Sequence, residues 1–203
     1  IDGAYHFTVV GPNWQIAEMV LNMGGLHNIE NALAALAIGH AVGLSFSPML
    51  DVLAEFKGLP HRCQYIAELN SVRFYNDSKG TNIGATVAAL NGLGVSRNIV
   101  LIAGGQGKGA DFTQLQTAVA EHCKQLVLIG EDAARMEQAL AGQAPVTIAA
   151  SMEEAVALAS AAARPGDCVL LSPACASFDM FSGYVNRGDV FCAAVANLQE
   201  GGL

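Results

Sequence analysis

The sequence predicts an α/β fold with a mostly parallel sheet, and three observations carry that reading. Strand-like and helix-like segments alternate from Cys63 onward, the pattern of a sheet covered by helices on both faces. Polar, Gly-rich clusters follow several of the strand segments directly, at residues 76–82, 104–111, 130–132 and 172–177; open α/β sheets bind their ligands at such strand ends. The chain has 203 residues, 52% of them hydrophobic and only 14% charged, enough to bury one good core and part of another domain.

Taken in order, residues 5–10 and 16–21 read as two short strands joined through the turn-forming Gly11-Pro12-Asn13, and so as a hairpin. The chain opens at Ile1 without a Met and enters this strand at once, which suggests a strand met partway through a larger protein. The Ala- and Leu-rich spacing of 28–42 predicts a helix. Ser47-Pro48 then opens a second one, running through Phe56, with Ser47 as N-cap and Pro48 at the first helical position. Gly58-Leu59-Pro60 ends it and sets a boundary between residues 1–59 and 60–203. Strands follow near 63–69, 72–76, 98–102, 125–129, 146–148 and 167–172, with helices near 82–92, 112–122, 132–140, 151–162 and 188–198. Only Asn70-Ser71 separates the first two of these strands, so they too form a hairpin.

Composition excludes several classes of function. No apolar stretch approaches the roughly 20 residues that span a bilayer. A net charge of -8 disfavours nucleic acid, which is bound by neutralising its phosphates with Lys and Arg. The five cysteines are widely spread with no C-x-x-C pair, which argues against a disulfide framework and a zinc site and for a reducing cytoplasm.

The polar clusters hold the candidate chemistry. Asn76-Asp77-Ser78-Lys79-Gly80-Thr81-Asn82 sets an acid, a cation and hydroxyls within a few residues, a mixture suited to a polyanionic ligand; the alternative is that Thr81 or Asn82 caps a helix and Asp77 shapes a turn. Gly105, Gly107 and Ala110 satisfy G-x-G-x-x-A, a dinucleotide fingerprint, but Lys108 stands inside it, and Gly109 after that lysine rules out a P-loop. Lys108 reads as an exposed cation available to a carboxylate or phosphate. The small residues of 172–177 would let a ligand approach the backbone, and Ser177, near a helix start, could hold a carboxylate or simply cap. Cys175 has no histidine nearby in sequence to activate it. Asn28 and Asn31 share a helix face on which their amides could read an adenine edge. Arg62, at the domain junction, could reach phosphates or form a structural ion pair.

In order and spacing, Gly25-Leu26-His27-Asn28-Ile29-Glu30-Asn31-Ala32, Gly58-Leu59-Pro60-His61-Arg62, the 76–82 cluster, Gly104-Gly105-Gln106-Gly107-Lys108 and Leu171-Ser172-Pro173-Ala174-Cys175-Ala176-Ser177 resemble the Mur ligase family. The Asp77-Ser78-Lys79 segment resembles the branch of it that adds D-glutamate to UDP-N-acetylmuramoyl-L-alanine. The resemblance implies a Rossmann-like C-terminal domain with a mostly parallel sheet, preceded by the tail of an α/β ATPase central domain. It also implies an ATP-dependent ligase of peptidoglycan synthesis, acting as a cytoplasmic monomer through an acyl phosphate, with Mg2+ ligands upstream and no activity in these residues alone. On the same basis Lys79 is catalytic, and Asn28, Asn31, His61, Arg62 and Asp77 bind the nucleotide. Thr81, Lys108, Ser177, Phe178 and Tyr184 bind D-glutamate. Phe178 departs from the Leu that the family commonly has, and Tyr184 stands where a Phe often packs against substrate. Another Mur-type or folylpolyglutamate-type ligase, or a dinucleotide module built on Gly105 to Ala110, is the alternative.

Overall fold

A computed structural model of the chain describes residues 5–10, 15–21 and 26–200, which fall in two compact units, Ile1–Gly58 and Leu59–Leu203. In the first, β1 (Tyr5–Val10) and β2 (Gln15–Leu21) pair antiparallel; the Gly11-Pro12-Asn13 turn and Gly25 lie outside the described residues. Helices α1 (Leu26–Ala41) and α2 (Phe46–Glu55) follow, with Leu21, Ala32 and Leu36 at the centre of a small core. The N-cap of α2 is Ser45 rather than Ser47, and Pro48 is the third helical residue rather than the first. The shift costs nothing, because the first four N–H groups of a helix have no intrahelical partner, and proline lacks only an N–H that would be orphaned anyway.

The second unit is a six-stranded sheet in the order β3-β4-β8-β5-β6-β7. Its strands are β3 (Gln64–Leu69), β4 (Val72–Asn76), β5 (Ile99–Gly104), β6 (Cys123–Ile129), β7 (Val146–Ile148) and β8 (Cys168–Leu171). β3 runs antiparallel to β4 and the other pairs are parallel. Asn70 and Ser71 both have positive φ, 51° and 62°, as a two-residue hairpin turn matched to the strand twist requires.

Alternation along the strands divides the core in two. Leu101, Ala103, Leu126, Leu128 and Leu170 point to one face, against α3 (Ile83–Leu93), a 3₁₀ turn (Phe112–Leu115), α4 (Gln116–His122) and α5 (Ala133–Ala139). Phe74, Val100, Ile102, Val127, Val169 and Leu171 point to the other, against α6 (Met152–Ala162) and α7 (Tyr184–Glu200). Two elements differ from the sequence expectation. The single helix over 112–122 is a 3₁₀ turn followed by a short α-helix, and α7 begins four residues early, at Tyr184 rather than 188. Polar Asn186 and Arg187 disguise that first turn, because Arg187 is buried for a reason other than apolar packing.

Candidate functional site

Adjacent strands β5 and β8 send the chain to opposite faces of the sheet, β5 toward α4 and β8 toward α7. Between strands that diverge in this way a crevice opens at their carboxyl ends. A cleft of about 460 Å³ lies there, lined by Thr81 and Asn82 after β4, Gln106 and Lys108 after β5, and Ala174 and Ala176 after β8. That volume falls within the range of small-molecule sites. Three loops separated by up to 95 positions in the chain thus meet, and the structure brings Thr81 and Lys108 to one wall-to-wall space.

The loop after β4 is built on buried polar ties. Asp77 is 7% exposed; one carboxylate oxygen accepts from the Cys63 N–H at 3.2 Å and the other from the Ser172 hydroxyl at 2.7 Å. Burial raises its carboxyl above the ordinary value, while the bonds from Ser172 and Cys63 and the nearby charge of Arg62 oppose that rise. Asp77 therefore ties β8 to this loop, a task the sequence did not reveal. Gly80 sits against the tie, since a Cβ there would lie 2.5 Å from an Asp77 oxygen and 2.8 Å from the Ser172 hydroxyl. The Lys79 N–H donates to the His61 carbonyl at 2.9 Å, and its ammonium stands 4.4 Å from the centroid of the Tyr184 ring. Asn82 caps α3, accepting from the Ala85 N–H.

The loop after β5 owes its glycines to close packing. The N–H groups of Gly104, Gln106 and Gly107 donate to the Pro173 carbonyl, the Ala176 carbonyl and an Asp132 carboxylate oxygen. With these donors spent inside the fold, Gln106 and Gly107 have no N–H left to offer a pyrophosphate, which counts against the dinucleotide reading. At Gly105, φ is +124° and a Cβ would lie 2.3 Å from the Ala176 carbonyl oxygen. Gly105→Ala is expected to cost about 2–4 kcal/mol and to lower the thermal midpoint by roughly 4–16 °C. Thermal unfolding of the chain checks this, and an unchanged midpoint would mean that the two loops are not pinned here. Lys108 is exposed, has φ 51°, and places its ammonium 5.8 Å from the centroid of the Phe178 ring.

The segment after β8 completes the site. Ser177 is 2% exposed while Phe178 is 66% exposed. Burial pushes the Cys175 thiol up to about 12, so it has little thiolate character and is no nucleophile at neutral pH. His61, buried, accepts from the Asn76 side-chain amide at 3.1 Å through Nδ1, and its Nε2 faces Asp189 at 3.8 Å. Arg62 is exposed. In the first unit Asn31 is exposed and Asn28 half-buried on α1.

Sequence reasoning missed Ser172 and Arg187. Arg187 is fully buried; burial pulls its guanidinium down to about 10, and it remains charged at neutral pH. The residue beside it marks a separate close approach, of α7 to His61. Gly188 lies inside a helix, where glycine is unfavourable, and a Cβ there would lie 2.2 Å from His61 Nδ1.

Residues 61–175 match the family described as Mur ligase, glutamate ligase domain. The chain is 57% identical over 176 residues to the UDP-N-acetylmuramoylalanine--D-glutamate ligase of Legionella pneumophila (strain Lens), which covers 86% of the chain and 39% of that relative. It is 53% identical over 178 residues to the protein of the same name from Nitrosococcus oceani, covering 88% and 39%. The chain thus spans about 39% of the length of these curated relatives. Among solved structures, the MurF ligase of Thermotoga maritima in complex with ADP superposes with a TM-score of 0.71 at 13% identity, over 99% of this chain and 45% of that one. E. coli FolC in complex with DHPP and ADP gives 0.68 at 18%, over 95% and 44%. At these identities the structures speak for the fold.

Proposed function

The chain belongs to the Mur ligase family, and from that premise we propose that it is the amino-acid-binding part of an ATP-dependent ligase joining D-glutamate to UDP-N-acetylmuramoyl-L-alanine. The observation that carries this reading is the meeting of Thr81 and Lys108 in one cleft at the strand ends. A hydroxyl donor and an exposed cation there suit a small acidic amino acid. The names of the relatives supply which one.

ATP supplies the phosphoryl group that turns the acceptor carboxylate into an acyl phosphate. The amine of D-glutamate then attacks the acyl carbon, the amide C–N bond forms, the C–O bond to phosphate breaks, and the amine loses its proton. Lys79 offsets the negative charge that collects on the transferring oxygens. Lys108 and Thr81 hold a D-glutamate carboxylate, with Ser177, Phe178 and Tyr184 around it. Asn28 and Asn31 serve adenine, and Arg62, with His61 beside it, serves the phosphates. For Asp77 the reading is a role toward ribose through the lone pairs its internal bonds leave over. On this reading the Mg2+ ligands come from elsewhere in a longer chain. We place the enzyme in the cytoplasm as a monomer.

The test is phosphate release by the full-length ligase with ATP, Mg2+ and UDP-N-acetylmuramoyl-L-alanine, with D-glutamate supplied, omitted or replaced by other amino acids. Release should require D-glutamate, and the 203-residue chain alone, which holds no P-loop motif, should release none. Release that ignores D-glutamate but responds to another amino acid would move the protein to a sister Mur or folylpolyglutamate activity.

A further inference from the structure

A buried cation is costly unless something compensates it, and Arg187, with none of its surface exposed, donates only to uncharged oxygens. Its Nε reaches the Ser78 hydroxyl at 3.0 Å, one terminal nitrogen the Ser78 carbonyl at 2.8 Å, and the other the Cys175 carbonyl at 3.1 Å. The fork thereby grips the loop after β4 with one side and the loop after β8 with the other. Tyr184 and Arg187, three apart on the first turn of α7, share a helix face. The Ser78 hydroxyl closes the circuit by donating to the Tyr184 carbonyl at 2.8 Å. Lys79, the next residue, rests its ammonium on the Tyr184 ring. Both ends of the lysine are therefore referred to one helical turn: its backbone through Ser78 and Arg187, its head through Tyr184.

We propose that Arg187 is a positioning residue that sets the Ser78-Lys79 segment against the loop after β8 and so aims the Lys79 ammonium. The inference rests on the reading of Lys79 as the cation at the transferring phosphoryl group. A lysine in place of Arg187 keeps the charge but not the planar fork that spans three acceptors, so the two contributions separate.

The experiment is a double-mutant cycle in the full-length ligase, read by D-glutamate-dependent phosphate release under single-turnover and steady-state conditions. Arg187→Lys should lower kcat by about tenfold or more while the KM for D-glutamate stays within about threefold, and it should add almost nothing to the loss already caused by Lys79→Ala. Should Arg187→Lys fail to fold, Ser78→Ala, which removes the hydroxyl link and leaves the cation, enters the same cycle with the same expectation of non-additivity. Wild-type kcat in Arg187→Lys, or an equal fold-loss in both backgrounds, overturns the positioning role. The second result with a crippled Lys79→Ala leaves the reading of Lys79 intact, whereas an unimpaired Lys79→Ala overturns both.

Discussion

Lys79→Ala in the full-length ligase is expected to lower kcat by about 10²–10³, the usual effect of removing one preorganised group that stabilises developing charge, with little change in the KM for D-glutamate. The substitution leaves the loop standing. The Lys79 N–H bond to the His61 carbonyl is a backbone bond that alanine keeps, and the ring contact with Tyr184 is worth only about 0.5–1 kcal/mol at such a site. A large kinetic loss with a thermal midpoint shifted by no more than a few degrees would therefore report on chemistry and not on folding. A kcat within threefold of wild type would remove Lys79 from the mechanism.

Lys108→Ala is expected to act on the other axis. A charge-assisted hydrogen bond to a carboxylate contributes about 1.5–3 kcal/mol, so its loss should raise the KM for D-glutamate by roughly 10- to 150-fold, with kcat at saturating D-glutamate changed far less. The backbone strengthens the case. Lys108 occupies the left-handed region, where a side chain with a Cβ costs about 1–2 kcal/mol and glycine would cost nothing. Among the described residues its head has only the exposed Phe178 ring nearby, 5.8 Å from the ring centroid. Steady-state kinetics over a D-glutamate titration decide the matter. An unchanged KM would make Lys108 a solvated loop lysine.

The two expectations differ because the two lysines stand on loops of different construction. The Lys79 loop is anchored by Asp77, Ser172, Ser78 and Arg187, the fixed backbone that the role proposed for its cation requires. The Lys108 loop is pinned at Gly105 and Gly107 but leaves the lysine itself exposed at its tip, where the carboxylate contact proposed for it needs a cation. Asp77 has a structural task as well as the ligand role proposed for it. Within the sequence it is an acid beside a lysine, and an acid in a ligand loop invites a ligand. In the fold both of its oxygens have acceptor work inside the protein.

From the sequence alone came the α/β class, the existence and near position of every strand of the main sheet, and the placing of the polar clusters at strand ends. These depend on local signals: apolar runs such as β5 and β8, the Asn70-Ser71 turn, and the helix cap at Asn82. Only the tertiary structure decided the strand order, with β8 inserted between β4 and β5, and with it the cleft that joins Thr81 to Lys108. It alone decided that Gly104 and Gly105 admit a neighbouring backbone, and that Arg187, polar in a polar helical turn, is buried to hold two loops. The reason is physical: periodicity and capping are energies between residues a few positions apart, whereas the partners of Arg187 lie 109 and 12 positions away and become neighbours only once the sheet has closed its core.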